Sequence, residues 1–400
     1  MERSGAPAWT RRRFVAVSGV AMATGGAWQR ALAQDATPVA DPVAGFDLPD
    51  EVFWAAYSAL AYDQSVAIGD ALQEAAGVKL NIHPTLGDEF TGELLRRDAV
   101  DFEATAVGGS IAAQEGVFEF ASKDWGPQKV RLVLANTAEP IGYGIAVAGD
   151  LGVTTYADLQ GKRVAWYLDF PVVNVNTEAY LAYAGLTWDD VERVEVEGFF
   201  DEALKALEDG SLDAAFAATT SKGVAEAAAG PRGLFWPSID PEDDEGLARM
   251  AAVAPYFVLQ DAPDGSAGDP ALGQPGAHYA YPILIALERT RHDLVYNMTK
   301  ALDEVFPLYE GKVLGIDGWS IDDQYLFWFI PYHDGAVTYF KELGLWSDAA
   351  QAHNDQLHAR QEALAAAWEA LLAEKPADLA TAWAERRRQA LEDGGFQVIF

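Results

Sequence analysis

Cysteine is absent from this 400-residue chain, which excludes disulfides, thiolate nucleophiles and cysteine-ligated zinc. Histidine is sparse, six residues without metal-ligand spacing, so neither a metal nor a cofactor is expected. Positive charge is scarce too, with 28 Lys and Arg against 61 Asp and Glu. So acidic a chain repels a phosphate backbone, and no nucleic-acid partner is expected. No G-x-S-x-G elbow, H-E-x-x-H pair or G-x-x-x-x-G-K loop occurs, and no Ser/His/Asp set has workable spacing, so catalysis is not expected. Beyond the N-terminus no run reaches the about 18 continuous apolar residues of a membrane-spanning helix. What the chain does have is apolar bulk, half of its residues. That suffices for a substantial core, at a length that suits two lobes.

The first 33 residues read as an export signal. Thr10, Arg11, Arg12, a variable residue, then Phe14 and Val15 fit the twin-arginine pattern. A short apolar stretch to Gly26 and an A-x-A site at Ala31 to Ala33 follow, placing cleavage after Ala33. Its removal takes away five Arg and one Glu, leaving 23 basic against 60 acidic residues and a formal charge of −37. The expected product is periplasmic. Residues 34–50, with three Pro, read as a tether.

Two stretches echo one another: "LLRRDAVDFEATAV", Leu94 to Val107, and "ALEDGSLDAAFAAT", Ala206 to Thr219. Each writes a helix end, a charged turn, then Asp and a small apolar strand. The surrounding pattern is βαβαβ in both places: strands over 51–59, 78–84 and 100–107 with helices over 63–75 and 88–97, then strands over 162–168, 191–198 and 212–219 with helices over 174–183 and 201–208. The expected fold is α/β and two-lobed, of the periplasmic-binding-protein kind, with a hinge and an inter-lobe cleft. Lobe 1 spans 51–146 and is completed by 282–346; lobe 2 spans 147–281. The interlobe crossings are expected near 140–147 and 279–283, and return helices over 291–308, 321–329 and 335–343. Residues 347–400 are Ala-rich and amphipathic, broken at Pro376 into a helical hairpin that either packs on the body or meets a partner.

Several segments resemble a known family. "GYGIAVAGDLGVTTYADLQGKRVAWYL" with the following "YLAYAGLTWDDVERVEVEGFFDEALKALEDGSLDAAFAAT", and "PYHDGAVTYFKELGLW" from Pro331 to Trp346, are similar to the TAXI-type solute receptors of tripartite ATP-independent periplasmic (TRAP) transporters. The resemblance covers residues 50 to 346 and is weaker in the first lobe. It implies a monomeric extracytoplasmic receptor that closes on a small organic solute and delivers it to TRAP permease subunits without catalysis. The family's glycine-rich first loop is replaced here by "AYSALAYDQS" and its second-lobe loop by "YLDFPVVNVNTE". The glycine-to-aromatic changes leave both a carboxylate and a less polar or nitrogen-containing solute open.

Loops after parallel strands face such a cleft, where helix N-termini present free N–H groups. By that rule lobe 1 contributes Tyr57, Ser58 and Tyr62, then Thr85, Gly87 and Asp88, then Gly108, Gly109 and Ser110. Lobe 2 contributes Tyr167, Asp169, Phe170, Asn174 and Asn176, then Thr219, Thr220, Ser221 and Lys222. Tyr279 and Tyr281 come from the return crossing. Each has a plainer reading: aromatic residues on a strand are ordinarily core, "TTSKG" is an ordinary capping sequence, and Asp88 and Asp169 either balance a cation or an amino group or sit in solvent, the plainer of the two. Two further functions stay open, an exported enzyme on this scaffold and a sensor that uses the hairpin to contact a membrane signalling partner.

Overall fold

The two echoed aspartates do the same job in two different sheets. In the computed structural model, which describes residues 45–138, 141–261 and 275–400, the carboxylate of Asp101 accepts the backbone N–H of Phe53 at 2.9 Å. That of Asp213 accepts the backbone N–H of Arg163 at 3.0 Å and pairs with its guanidinium. Each Asp also donates its own N–H to the carbonyl of the same partner. The repeated motif is thus a staple between parallel strands, placed where the chain leaves a helix and enters a buried strand. The export signal, and the tether up to residue 44, lie outside the described residues.

The first lobe runs β1 (Glu51–Tyr57), α1 (Ser58–Ala76), β2 (Lys79–Thr85), α2 (Asp88–Arg96), β3 (Phe102–Thr105), α3 (Val107–Glu115) and β4 (Val130–Ala135). The second runs β5 (Tyr143–Ala148), β6 (Arg163–Tyr167), α4 (Pro171–Tyr183), β7 (Glu192–Val196), α5 (Phe200–Asp209), β8 (Ala214–Ala218), α6 (Gly223–Ala229), β9 (Leu234–Phe235), α7 (Asp244–Val253), β10 (Val258–Asp261) and β11 (Pro275–His278). The chain then returns through β12 (Ile283–Leu287), α8 (His292–Glu304), α9 (Phe306–Tyr309) and α10 (Asp334–Glu342), and ends in α11 (Asp348–Glu374) and α12 (Leu379–Asp393). The fold is α/β and two-lobed, with a sheet of order β2-β1-β3-β12-β4 in one lobe and β10-β11-β5-β8-β6-β7 in the other. Within each sheet one run is parallel, β2-β1-β3 with Trp54 opposite both Ile82 and Phe102, and β7-β6-β8 with Val164 opposite Ala214, while β12 and β5 join these runs antiparallel. β3, β8 and β12 are buried along their whole length, as strands covered by helices on both faces must be.

The chain passes between sheets twice, after Ala135 and after His278. The crossing expected over 140–147 is over by Tyr143, where β5 begins. The two crossings lie side by side: Asn136 donates its N–H to Pro282 and accepts from Tyr281, both at 2.9 Å.

Several element bounds differ from expectation. The first helix begins at Ser58 rather than residue 63, because Ser58 takes φ +81 and turns the chain straight from strand to helix. Such a backbone favours glycine, yet the Ser58 hydroxyl is bonded to Tyr281 Oη at 2.5 Å. Ser58→Ala loses the bond and keeps the strain, whereas Ser58→Gly relieves it. The glycine variant should therefore be the more stable of the two by about 1 kcal/mol, opposite to their ordinary order in a helix. Equal urea midpoints for the two would contradict this. α4 begins three residues early, with Pro171 in its first turn, where a missing N–H costs nothing. The helix expected over 291–308 divides at Val305, ahead of Pro307.

Only a short 3-10 turn, Ile321–Asp323, forms where a helix was expected over 321–329. There Gln324 bonds both the N–H and the carbonyl of Ala135 at 2.8 Å, and Leu132 donates to Pro331 and accepts from His333. Satisfying the open edge of β4 wins over local helix propensity.

The C-terminal helices form the expected hairpin and bury Leu364, Trp368, Leu371, Trp383 and Leu391 among themselves. The hairpin is joined to lobe 1 rather than free. Glu115, the last residue of α3, is 0% exposed and bonds Arg360 of α11 and Arg387 of α12. The two arginines in turn hold the carbonyls of Gln397, Ile399 and Phe400.

Candidate functional site

The carboxyl ends of β1, β2 and β3 each lead into a helix N-terminus, and lobe 1 brings most of its expected residues together there. Tyr281 donates its hydroxyl to the carbonyl of Tyr57 at 2.9 Å and meets Ser58. Thr85 is buried, donating to Ala56 and accepting from Thr91. Gly87, at φ +89, turns the chain into α2, and Asp88 opens that helix. A side-chain carbon on Gly109 would fall 2.2 Å from Asp88 Oδ1, so this glycine exists to let the carboxylate lie on the start of α3. Ser110 spends its hydroxyl on the carbonyl of Val107. Tyr62 is half-buried against the core.

The lobes meet one residue away. A side-chain carbon on Gly108 would fall 2.3 Å from Val172 Cγ1 and 3.4 Å from the Tyr256 hydroxyl. The N-termini of α3 and α4 therefore face each other across the lobes. Behind them stands an aromatic wall. Tyr279 stacks on Tyr143 at 4.1 Å and meets Tyr256 and Phe257 edge-on, and the Tyr256 hydroxyl bonds Asn176 Oδ1 at 2.6 Å.

Other expected residues of lobe 2 are spent on the fold. Tyr167 is 0% exposed, with its hydroxyl on the Phe216 carbonyl. Asn174 closes the turn into α4 by bonding both the N–H and the carbonyl of Tyr167. Thr219 receives the N–H of Gly142. Phe170 packs on Phe199. Asp169 and Lys222 are exposed, and Thr220 and Ser221 are half-buried.

Beneath α2 the first lobe holds a small cavity that was not anticipated. Asp88, Gly92 and Arg96 of α2, Glu103 of β3, Gly109 and Ser110 of α3, and the rings of Phe120 and Trp125 line it. Burial, reinforced by the nearby charge of Glu119, pushes the Asp88 carboxyl up to about 7. Burial does the same to Glu103, up to about 8, with Thr105 opposing and Asp88 adding to it. Asp88 Oδ1 is shielded from solvent and has no hydrogen-bond partner. The Tyr57 and Tyr281 hydroxyls are held protonated, chiefly by burial, with Asp88 contributing.

Missed in the sequence were Glu103, Val172, Tyr143, Tyr256 and Phe257. Glu103 carried a signal: a glutamate in a strand buried on both faces has no solvent side to point to. Val172, Tyr256 and Phe257 carried none, because apolar and aromatic residues beside element ends are ordinarily core.

Several solved structures of low identity align with this chain. The periplasmic aliphatic sulphonate binding protein SsuA from Escherichia coli is 13% identical, covering 78% of this chain and 88% of that chain, with a TM-score of 0.38. The alkanesulfonate-binding protein SsuA from Xanthomonas axonopodis pv. citri, bound to MOPS, is 13% identical over 77% and 84% of the two chains, with a TM-score of 0.37. An ABC transporter periplasmic binding protein from Brucella ovis with glutathione bound is 13% identical over 62% and 66%, with a TM-score of 0.36. Residues 55–344, which take in both sheets and the return helices, match the NMT1-like family, and the chain belongs to that family.

Proposed function

We propose that this chain is an extracytoplasmic solute receptor of the TAXI type, which encloses a small organic solute between its lobes and presents it to TRAP permease subunits. It is exported through the twin-arginine route and cleaved after Ala33, and works as a monomer in the periplasm without catalysis. The observation that carries this reading is the meeting of two helix N-termini, Gly108 of lobe 1 on Val172 of lobe 2, beside tyrosine hydroxyls and an aromatic wall. A solute held there touches both lobes and so favours the closed state by its differential affinity. The paired crossings at Asn136 and Tyr281 supply the hinge. Against an enzyme stands Ser58, the one site hydroxyl on a strained strand-to-helix turn: its partner is a tyrosine that keeps its proton, which is no general base. Against a signalling arm stands the buried attachment of the hairpin to α3.

The test is a thermal-shift screen of residues 34 to 400 against dicarboxylates, amino acids, aromatic acids and quaternary amines. A solute at ~100 times its Kd should add about 2.7 kcal/mol of stability, with a fall in the radius of gyration by small-angle scattering. A library without a saturable hit would overturn the reading.

A further inference from the structure

The cavity beneath α2 deepens the solute-receptor reading and rests on it. Two carboxyl groups converge on a space walled by the Phe120 and Trp125 rings. Glu103 is 4% exposed, while Asp88 is half-buried as a residue with its Oδ1 closed off and unpartnered. An enclosed acceptor without a donor costs about 1 to 3 kcal/mol, more when charged, and asks for a hydrogen-bond donor from elsewhere. The one cation lining the cavity, Arg96, does not supply it: its guanidinium bonds Glu93 and lies 4.7 Å over the Trp125 ring. Among the described residues no three His, Asp or Glu side chains converge as metal ligands, so a divalent ion is not the match. A compact donor with one positive charge, set against aromatic rings, is. The cavity borders the site itself, since Asp88 and Gly109 line it and the neighbouring Gly108 touches lobe 2.

We infer that this cavity anchors a protonated primary amine of the solute between Asp88 and Glu103, leaving the rest of the solute against the aromatic wall between the lobes. The receptor is therefore one for amines rather than for plain carboxylates. Facing Asp88 are Glu119 from the turn after α3, Tyr57 of β1 and Tyr281 of the return crossing. Glu103 faces Asp88 and Thr105. All of these are acidic or neutral, so the incoming ammonium is the counter-charge that lets both carboxyls ionise. Binding must then release protons, and affinity must rise with pH.

The experiment is calorimetric titration of residues 34 to 400 with n-butylammonium and 1,4-diaminobutane. Butyrate and succinate serve as charge-reversed controls, and potassium and ammonium chloride as simple cations. The amines are expected to bind, with affinity rising about tenfold per pH unit for each proton released between pH 6 and 8. Asp88→Asn and Glu103→Gln should each weaken binding at least tenfold and flatten that profile. Neither variant should lower the melting temperature of the unligated protein, so a loss of binding is not a loss of fold. Binding of the carboxylates but not the amines would overturn the amine anchor and leave the solute receptor standing. An equal response to potassium chloride would overturn it in favour of a simple cation site. Silence toward both these probes and the broader solute library would overturn both readings.

Discussion

Glu115→Ala should lower the stability of the folded chain by about 3 to 5 kcal/mol, the cost of breaking a buried ion pair by removing one partner. Glu115 is 0% exposed, and its partners Arg360 and Arg387 are 5% and 4% exposed. One carboxylate oxygen takes Arg360 Nε at 2.8 Å and the other takes Arg387 Nη1 at 2.9 Å. Without the carboxylate, two guanidiniums face each other out of water. The same change loosens more than one contact, because these arginines also hold the last carbonyls of the chain, leaving the Trp383 Nε1 bond to the Glu115 backbone carbonyl at 3.1 Å as the remaining polar tie at that residue. Limited proteolysis should therefore open the 347–400 region of the variant first. Exchanging all three residues for apolar ones of similar volume should restore most of the stability, as the penalty comes from unpaired charge rather than lost packing. Denaturant midpoints for wild type, the single variant and the triple variant check this. An unchanged midpoint for Glu115→Ala would refute the buried attachment.

The unligated protein should lose stability as pH rises from about 6.5 to 8, the reverse of an ordinary carboxylate-rich chain; below that range the buried His278 and His333, held down to about 4 by burial, act in the opposite direction. Asp88 and Glu103 titrate at about 7 and about 8 in the fold, against about 4 when unfolded. The folded state keeps protons that the unfolded state gives up. The stabilisation is therefore complete below pH 4 and is lost as pH passes through 7 and 8. At about 1.4 kcal/mol per pKa unit, and with a reduced share for Asp88 because it is only half-buried, the combined loss is several kcal/mol. Surface repulsion among the many acidic residues changes in the same direction, so the variants are what isolate the effect. Glu103→Gln should be more stable than wild type at pH 8 by about 2 to 4 kcal/mol, and equal to it at pH 4. Parallel wild-type and variant profiles of melting temperature against pH would refute the assignment.

The candidate site was legible in part. Where an element ends is a local matter, and the turns after β2 and β3, with Asp88 and Gly109, were read from strand and helix pattern, whereas the end of β1 was placed inside the first turn of α1. Failure came where a side chain had a choice of partners. Tyr167 and Asn174 lie in a loop of the right kind, but the polar groups of that turn close on each other and on Phe216. Gln324 lies in a segment with helical pattern, but the unpaired edge of β4 takes its amide.

By itself the sequence determined the alternation of strands and helices, the two lobes and the break in the C-terminal hairpin. These follow from hydrophobic period, capping residues and turn residues, all of which act within a few positions of the chain. Only the tertiary structure decided that α3 joins lobe 2 at its first turn and the hairpin at its last, and that Asp88 and Glu103 share a cavity closed by Trp125. Those neighbours are up to 272 positions apart, as Glu115 and Arg387 are. Which distant groups meet depends on how the layers pack, and burial then sets the charge each group can carry.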